Sequence, residues 1–325
     1  MRLPTPDDVV AARARIAPFV VRTPMLRHAA LDRITGGTVL LKPESLQRTG
    51  SFKLRGATNA IRQLSAAERQ AGVVTFSSGN HAQAVACAAA SMGLRATVFM
   101  PADAPRVKVD DTRSWGAEVI HFDRAKDDRA ALGRAFAERT GAALVPPFEH
   151  PDVIAGQGTL ALELAEDAAS VGLRLDAFLS GVSGGGLISG CGLAFASVSP
   201  ATRLWGVEPQ GWDDTARSLA AGERVANAPG GGSTLCDSLL VETPGALTFA
   251  LNQRLLAGAL VVSDAEVLAA VAFAFRHLKL VVEPGGAVGL AALLAGRFDA
   301  RGKVIGVVLS GGNVDAAVFR RALAE

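Results

Sequence analysis

PESLQRTGSFKLRGA, residues 43–57, is the stretch on which the reading of this chain turns. A turn-forming Gly50-Ser51 pair gives way to Phe52-Lys53-Leu54-Arg55-Gly56-Ala57, which places Lys53 at the apparent start of a helix. The chain has only six lysines (Lys42, Lys53, Lys108, Lys126, Lys279 and Lys303), so arginine carries most of the positive charge. The positive end of a helix dipole favours a neutral amine, and burial beside Phe52 acts in the same direction. A neutral amine is what Schiff-base chemistry requires. A lone lysine at a helix start ordinarily reads as a solvated residue, so the rest of the chain must decide.

Outward from this stretch, short apolar runs alternate with Ala-rich helical segments. Strands are expected at 73–76, 96–100, 118–121, 176–180, 203–207, 259–262 and 303–309. Helices are expected at 54–64, 81–92, 124–139, 154–169, 187–197, 264–278 and 285–295. Continuous apolar strands separated by helices predict α/β architecture, with parallel sheets covered on both faces. Ligands of such sheets bind beyond the carboxyl ends of the strands. Three loops there are rich in glycine and hydroxyls: Ser77-Ser78-Gly79-Asn80, Ser183-Gly184-Gly185-Gly186 and Ser310-Gly311-Gly312-Asn313. Each joins a strand to a helix, where free backbone N–H groups and the helix dipole suit an anion.

Composition narrows the partners. With 33 Lys+Arg against 31 Asp+Glu among 325 residues, no charge excess points to nucleic acid or to an anionic membrane. The three cysteines (Cys87, Cys191 and Cys236) form no C-x-x-C pair and suit a reducing, cytoplasmic setting. Asp7 and Asp8 interrupt the apolar run that a signal peptide would need. Residues 177–202 are uncharged, but their glycines and serines read as a buried strand, loop and helix. Glycine is in surplus, at 35 residues.

Together and in order, PESLQRTGSFKLRGA, SSGNHAQA (77–84), the 183–186 loop and LSGGN (309–313) resemble the fold type II pyridoxal-phosphate enzymes. Within these, the resemblance is to the serine/threonine dehydratase (threonine ammonia-lyase) and serine racemase group, and it runs from Thr23 to Asn313. It implies a tryptophan synthase β-like fold of two three-layer α/β/α domains. Residues 1–67 and 150–325 would form the large cofactor domain and 68–149 the small one. Lys53 would hold pyridoxal 5'-phosphate and act as the Cα base, with Phe52 packed on the cofactor ring. Asn80 would bond the ring 3-oxygen, and Ser183, Gly184, Gly185, Gly186 and Leu187 would cradle the phosphate. The usual first glycine of that loop is Ser183 here. Ser310 would face the pyridine nitrogen, where a serine stabilises the carbanion less than an aspartate would and so favours β-elimination over transamination.

Ser77, Ser78, Gly79, Asn80 and His81 would bind the substrate. Ser78 stands where serine racemases carry their second base. The segment VPPFEHPD (145–152) looks like the dehydratase version, with Phe148 an apolar wall. The expected activity is therefore β-elimination of L-threonine or L-serine to 2-oxobutyrate or pyruvate and ammonia. Serine racemase and threo-3-hydroxyaspartate ammonia-lyase are the alternatives within the group. The chain ends about a dozen residues after the SGGN loop, leaving no room for the regulatory domain of isoleucine-controlled relatives, and a homodimer is expected from the group. The turn Glu208-Pro-Gln-Gly-Trp212-Asp-Asp214 suits a hard cation. In the relatives, Glu208, Asp214 and the Trp212 carbonyl would hold Mg²⁺, Ca²⁺ or a monovalent ion.

Two readings from other classes are weaker. Gly181-Val-Ser183-Gly-Gly185 matches the serine-hydrolase elbow, but His277 falls inside an expected helix rather than on a loop. Gly184-x-Gly186 with Glu208 begins a dinucleotide fingerprint, but its third glycine position is Ser189, and this reading gives Lys53 no role.

Overall fold

The computed structural model describes residues 2–104, 106–124, 126–228 and 232–324. Nine strands lie among them: β1 (Thr38–Pro43), β2 (Val73–Phe76), β3 (Ala96–Pro101), β4 (Glu118–Phe122), β5 (Ala143–Leu144), β6 (Ala177–Gly181), β7 (Arg203–Pro209), β8 (Leu256–Val262) and β9 (Val304–Leu309). They form two sheets, ordered β1-β9-β6-β7-β8 and β4-β3-β2-β5. Every pairing in both sheets is parallel, as continuous apolar strands separated by helices predict.

Alternation along each strand sends successive side chains to opposite faces, so each sheet builds two cores. In the larger sheet Val39, Leu41, Leu179, Ile305 and Val307 meet the helices Asp264–Phe273 and Pro284–Leu294. Leu40, Phe178 and Val308 point the other way, towards Pro6–Ile16, Pro151–Ser170 and Gly186–Val198. In the smaller sheet Val73, Val98 and Met100 pack on helix Asn80–Ala90, while Val74, Phe76, Phe99 and Phe122 pack on helix Arg129–Thr140. Both units are three-layer α/β/α sandwiches.

Helix Lys53–Ile61 ties the two together. Leu54, Ala57 and Ile61 enter the core of the smaller sheet, while Gly56 and Asn59 bond Gln157 and the Asp152 carbonyl of helix Pro151–Ser170. Its Arg55 is wholly buried and meets Glu44 at 2.8 Å and Glu163 at 2.8 and 2.9 Å. Lys42, also buried, reaches Glu163 at 2.7 Å. Two cations and two anions balance inside the protein, which is what makes such burial tolerable. The uncharged 177–202 stretch is β6, a loop and helix Gly186–Val198. Among the described residues no helix is long and apolar enough to cross a membrane.

Candidate active site

The three glycine-hydroxyl loops follow β2, β6 and β9, and with Lys53 they line one open cleft. Phe52, Lys53, Ser77 to His81, Phe148, Ser183 to Leu187 and Ser310 all face it. Every residue expected at the cofactor or substrate is thus brought together.

Lys53 is the first residue of its helix, and the preceding turn is stitched to the 310–312 loop. The Phe52 N–H donates to the Ser310 carbonyl at 3.0 Å and the Gly312 N–H to the Gly50 carbonyl at 2.8 Å. The Lys53 amine donates to the Pro147 carbonyl at 2.8 Å and stands 5.1 Å from the centre of the Phe52 ring. Burial pulls its pKa down to about 8, with Glu283 acting in the opposite direction. About one-tenth of the amine is then neutral at pH 7 and about half at pH 8.

His81 is buried next to this amine, its Nε2 2.9 Å from the Val145 carbonyl. Burial first, and the Lys53 charge second, depress its pKa to about 3, so it stays neutral. Ser78 lines the cleft beside Ser77, whose hydroxyl accepts from the Gly79 N–H at 3.3 Å.

At Gly184 and Gly185 of the 183–186 loop there is no room for side chains. Gly185 has φ +88°, and a Cβ there would stand 2.7 Å from Asn252 Nδ2. One on Gly184 would meet the Phe148 ring at 2.4 Å. Phe148 therefore lies against this loop. Thr248 Oγ1 donates to the Gly184 carbonyl at 2.6 Å, and no side chain caps the helix that begins at Gly186. The Ser183 hydroxyl is buried without a hydrogen-bond partner. An orphaned hydroxyl, three successive glycines and an uncapped helix N-terminus together fit a phosphate group. The same orphaned Ser183 shows no histidine poised to activate it. His277 instead stacks near Phe273 and His28, at ring distances of 4.5 and 5.7 Å.

The Glu208–Asp214 turn lies at the end of β7. Glu208 accepts from the Thr215 and Ala216 N–H groups at 2.9 and 2.8 Å, and Asp214 Oδ1 accepts from Asn227 at 2.8 Å. Asp214 Oδ2 is buried and unpartnered. Burial, with the neighbouring Asp214, raises Glu208 to about 8, and burial raises Asp214 to about 6. Among the described residues no three His, Cys, Asp or Glu side chains gather to hold a metal. The Trp212 indole N–H is taken by the Gly232 carbonyl at 2.7 Å.

The sequence reading missed a set of charged residues on the cleft wall: Lys108, Arg124, Arg129 and Asp237. Lys108 pairs with Asp237 across the cleft, and its chain would stand 3.3 Å from a Cβ on Gly79. Arg124 pairs with Asp103 at 3.0 Å. Arg129 has neither ion pair nor hydrogen bond among the described residues. Their helical and loop surroundings read as solvated surface, so no local signal marks them.

Residues 16–311 match the family described as pyridoxal-phosphate dependent enzyme. The chain is 44% identical over 316 residues to L-threo-3-hydroxyaspartate ammonia-lyase of a Pseudomonas species, with 97% of each chain covered. It is 40% identical over 324 residues to serine racemase of Schizosaccharomyces pombe, covering 99% of this chain and 98% of that one. The crystal structure of T.th. threonine deaminase superposes with a TM-score of 0.89 at 42% identity, over 96% of this chain and 99% of that one. This chain belongs to the pyridoxal-phosphate-dependent enzymes of fold type II, in the branch that holds ammonia-lyases and amino-acid racemases.

Proposed function

We propose that this enzyme is an ammonia-lyase that removes water from a β-hydroxy amino acid, with L-threo-3-hydroxyaspartate preferred over L-threonine and L-serine. The observation that carries the preference is the basic wall of the cleft. Lys108, Arg124 and Arg129 line the same space as the Ser77–His81 loop, and Arg129 makes no ion pair or hydrogen bond among the described residues, Glu242 and Asp128 acting on it only through their charge. A substrate with one carboxylate is served by the loop alone. A second carboxylate would meet Arg129. The relative at 44% identity carries the name of that activity. Phe148, on which the expectation of threonine rests, lines the cleft and also packs on the 183–186 loop, so its ring is an apolar surface that supports threonine as the second substrate.

When bound, pyridoxal phosphate supplies the electron sink that makes an amino-acid Cα proton removable. Lys53 Nζ, held by the Pro147 carbonyl and partly neutral, takes that proton. The backbone N–H groups and hydroxyls of Ser77, Ser78 and Gly79 hold the α-carboxylate, with Asn80 and His81 beside them. Ser183 to Leu187 bind the phosphate, Phe52 and Ser310 fix the ring, and Phe148 closes the loop side. The overall change is loss of water and then hydrolytic release of ammonia, leaving a 2-oxo acid. Ser78 is the proton carrier for a side reaction of racemisation, a reading supported by its place in the Lys53 cleft and by the racemase likeness. The orphaned Asp214 Oδ2 supports a cation held by Asp214, Glu208 and the Trp212 carbonyl. The two sheets support a division into 1–67 plus 150–325 and 68–149. A cytoplasmic homodimer rests on the resemblance alone.

Purified protein should be yellow, and borohydride should shift its visible band. Lys53→Ala should abolish the band. A colourless protein that pyridoxal phosphate cannot reconstitute refutes the proposal. Product assays on L-threo-3-hydroxyaspartate, L-threonine and L-serine, with chiral analysis of serine, rank the substrates. A kcat/KM for L-threonine above that for the dicarboxylate overturns the stated preference. Mg²⁺, Ca²⁺ or K⁺ should raise the melting temperature of the wild type and not of Asp214→Asn.

A further inference from the structure

The N-termini of two helices and the SGGN loop meet in a chain of amide hydrogen bonds at one edge of the cleft. Asn313 Nδ2 donates to the Thr49 carbonyl at 2.9 Å and to Asn80 Oδ1 at 2.8 Å. Asn80 Nδ2 in turn donates to Glu283 Oε1 at 2.7 Å. Glu283 is 2% exposed and precedes helix Pro284–Leu294, and its own N–H is anchored to the Gly311 carbonyl at 3.0 Å. Gly311 can approach because it has no side chain: a Cβ there would stand 2.4 Å from Glu283 Oε1.

The Thr49 end of this chain is an acceptor only, and that settles the direction of every bond that follows. At the other end burial first, and Asp237 second, raise the Glu283 carboxyl to about 7, and its Oε1 accepts from Asn80. The Thr49 carbonyl cannot donate, so Asn313 must present its amino group to it, and the second N–H of that group meets Asn80. Asn80 must therefore offer its carbonyl to Asn313 and its amino group to Glu283. Rotating the Asn80 amide by half a turn would set two amino groups face to face and a carbonyl against a carboxylate. In the observed orientation one Asn80 N–H remains without a partner among the described residues, on a side chain that lines the cleft with Lys53.

We infer that Glu283 is a positioning residue: with Asn313, it locks the Asn80 amide so that the cleft receives an N–H donor and never a carbonyl. The inference rests on the pyridoxal-phosphate reading above, in which Asn80 meets the ring 3-oxygen. A donor at that oxygen favours its ionised form, which absorbs in the visible. Without the carboxylate only the Asn313 N–H holds the amide, so the orientation that turns a carbonyl to the cleft gains population, and the neutral near-ultraviolet form gains with it. The carboxylate also faces Lys53, Lys108 and Asp237, whose charges act on it. Losing it therefore alters more than the amide, and the test has to separate the two.

The test uses the reconstituted holoenzyme with Glu283→Ala, Glu283→Gln, Asn80→Ala and the Glu283→Ala/Asn80→Ala pair. Titration with pyridoxal phosphate and the absorption spectrum at fixed pH are the readouts. Glu283→Ala should weaken cofactor binding roughly tenfold, the scale of one hydrogen bond to a charged group. It should also move intensity from the visible to the near-ultraviolet band. Glu283→Gln keeps an oxygen that can accept from Asn80 and should recover much of both effects. In the Asn80→Ala background, removing Glu283 should change neither quantity further. A yellow wild type whose spectrum and cofactor affinity survive Glu283→Ala overturns the inference and leaves the enzyme reading intact. Equal losses from Glu283→Ala with and without Asn80 also overturn it, because they mean that the carboxylate acts by another route. If Glu283→Ala does not fold, Glu283→Gln decides: a spectrum moved fully to the near-ultraviolet, with cofactor still bound, shows that no amide can replace the carboxylate and refutes the lock as described.

Discussion

Lys53 and Pro147 are joined by a 2.8 Å hydrogen bond from amine to backbone carbonyl, which ties the start of one helix to the segment after β5. The carbonyl can only accept, so it fixes the amine through an N–H and leaves the lone pair of the neutral form pointing elsewhere. Burial holds the pKa at about 8, below the ordinary lysine value. Covalent capture of pyridoxal phosphate by the apoprotein needs the neutral amine. Its rate should rise about tenfold per pH unit below pH 8 and level off above it. Stopped-flow recording of the visible band from about pH 6 to 9 measures this. A rate independent of pH over that range would show that the amine is already neutral or is not the group captured. The sign for stability is the same. Between about 8 and the unfolded value of roughly 10.4, the unfolded chain binds more protons at this site, so stability gains with rising pH there.

Arg55 holds the Lys53 helix in place through Glu44 and Glu163, with none of its side chain exposed. Arg55→Ala removes one charge and leaves Glu44 without its buried partner. The expected loss of stability is about 3–5 kcal/mol, the range for breaking a buried pair from one side. Guanidinium denaturation followed by far-ultraviolet circular dichroism reads this as a lower midpoint. A loss below about 1 kcal/mol would show that water or rearrangement solvates Glu44 readily.

Much of this arrangement was legible because it is local. The seven expected strands lie on apolar runs that need no distant partner to be recognised, and the three loops carry their glycines in plain order. β1 escaped because Lys42 interrupts TVLLKP, and its charge is matched by Glu163, a residue 121 positions away that no local pattern connects to it. β5 is only two residues long. Helices Pro6–Ile16 and Ala66–Ala71 were missed although each has a capping box, Thr5 with Asp8 and Ser65 with Glu68, that the sequence displays. At the site, the Lys53 motif and the loops were readable. The roles of Lys108 and Arg129 were not, nor was the bond that joins Glu283 to Asn80, because they depend on contacts across the cleft; that Glu283, with the PGG after it, borders the pocket is readable from its sequence.

Arg129 separates the substrate readings. It lines the cleft without a close ion pair or hydrogen bond among the described residues, so an uncharged replacement gives up only the longer-range attraction of Glu242 and Asp128. Arg129→Gln should lower kcat/KM for L-threo-3-hydroxyaspartate by about ten- to a hundredfold, corresponding to roughly 1.4–2.7 kcal/mol of lost charge pairing. For L-serine it should change little. Lys108→Ala should behave differently, because it also frees Asp237 to repel an anion, and it should reduce both substrates. Parallel losses on both substrates for Arg129→Gln would mean that this cation supports the cleft and does not read a second carboxylate.

Ser183 gives a prediction in which two effects have opposite signs. Its hydroxyl is buried and makes no hydrogen bond, so in the apoprotein it is a desolvated polar group without compensation. Ser183→Ala removes that group with little change in shape. The apoprotein should therefore melt at the same temperature or higher. If the hydroxyl is there to meet the cofactor phosphate, the same substitution removes a bond to a charged group, and pyridoxal phosphate should bind about tenfold more weakly. The melting-temperature gain that saturating cofactor confers on the wild type should shrink accordingly, since that gain follows the affinity. Thermal melts of both proteins with and without pyridoxal phosphate provide all four values. A variant that is less stable without cofactor yet gains as much from it would show that Ser183 serves the fold and not the phosphate.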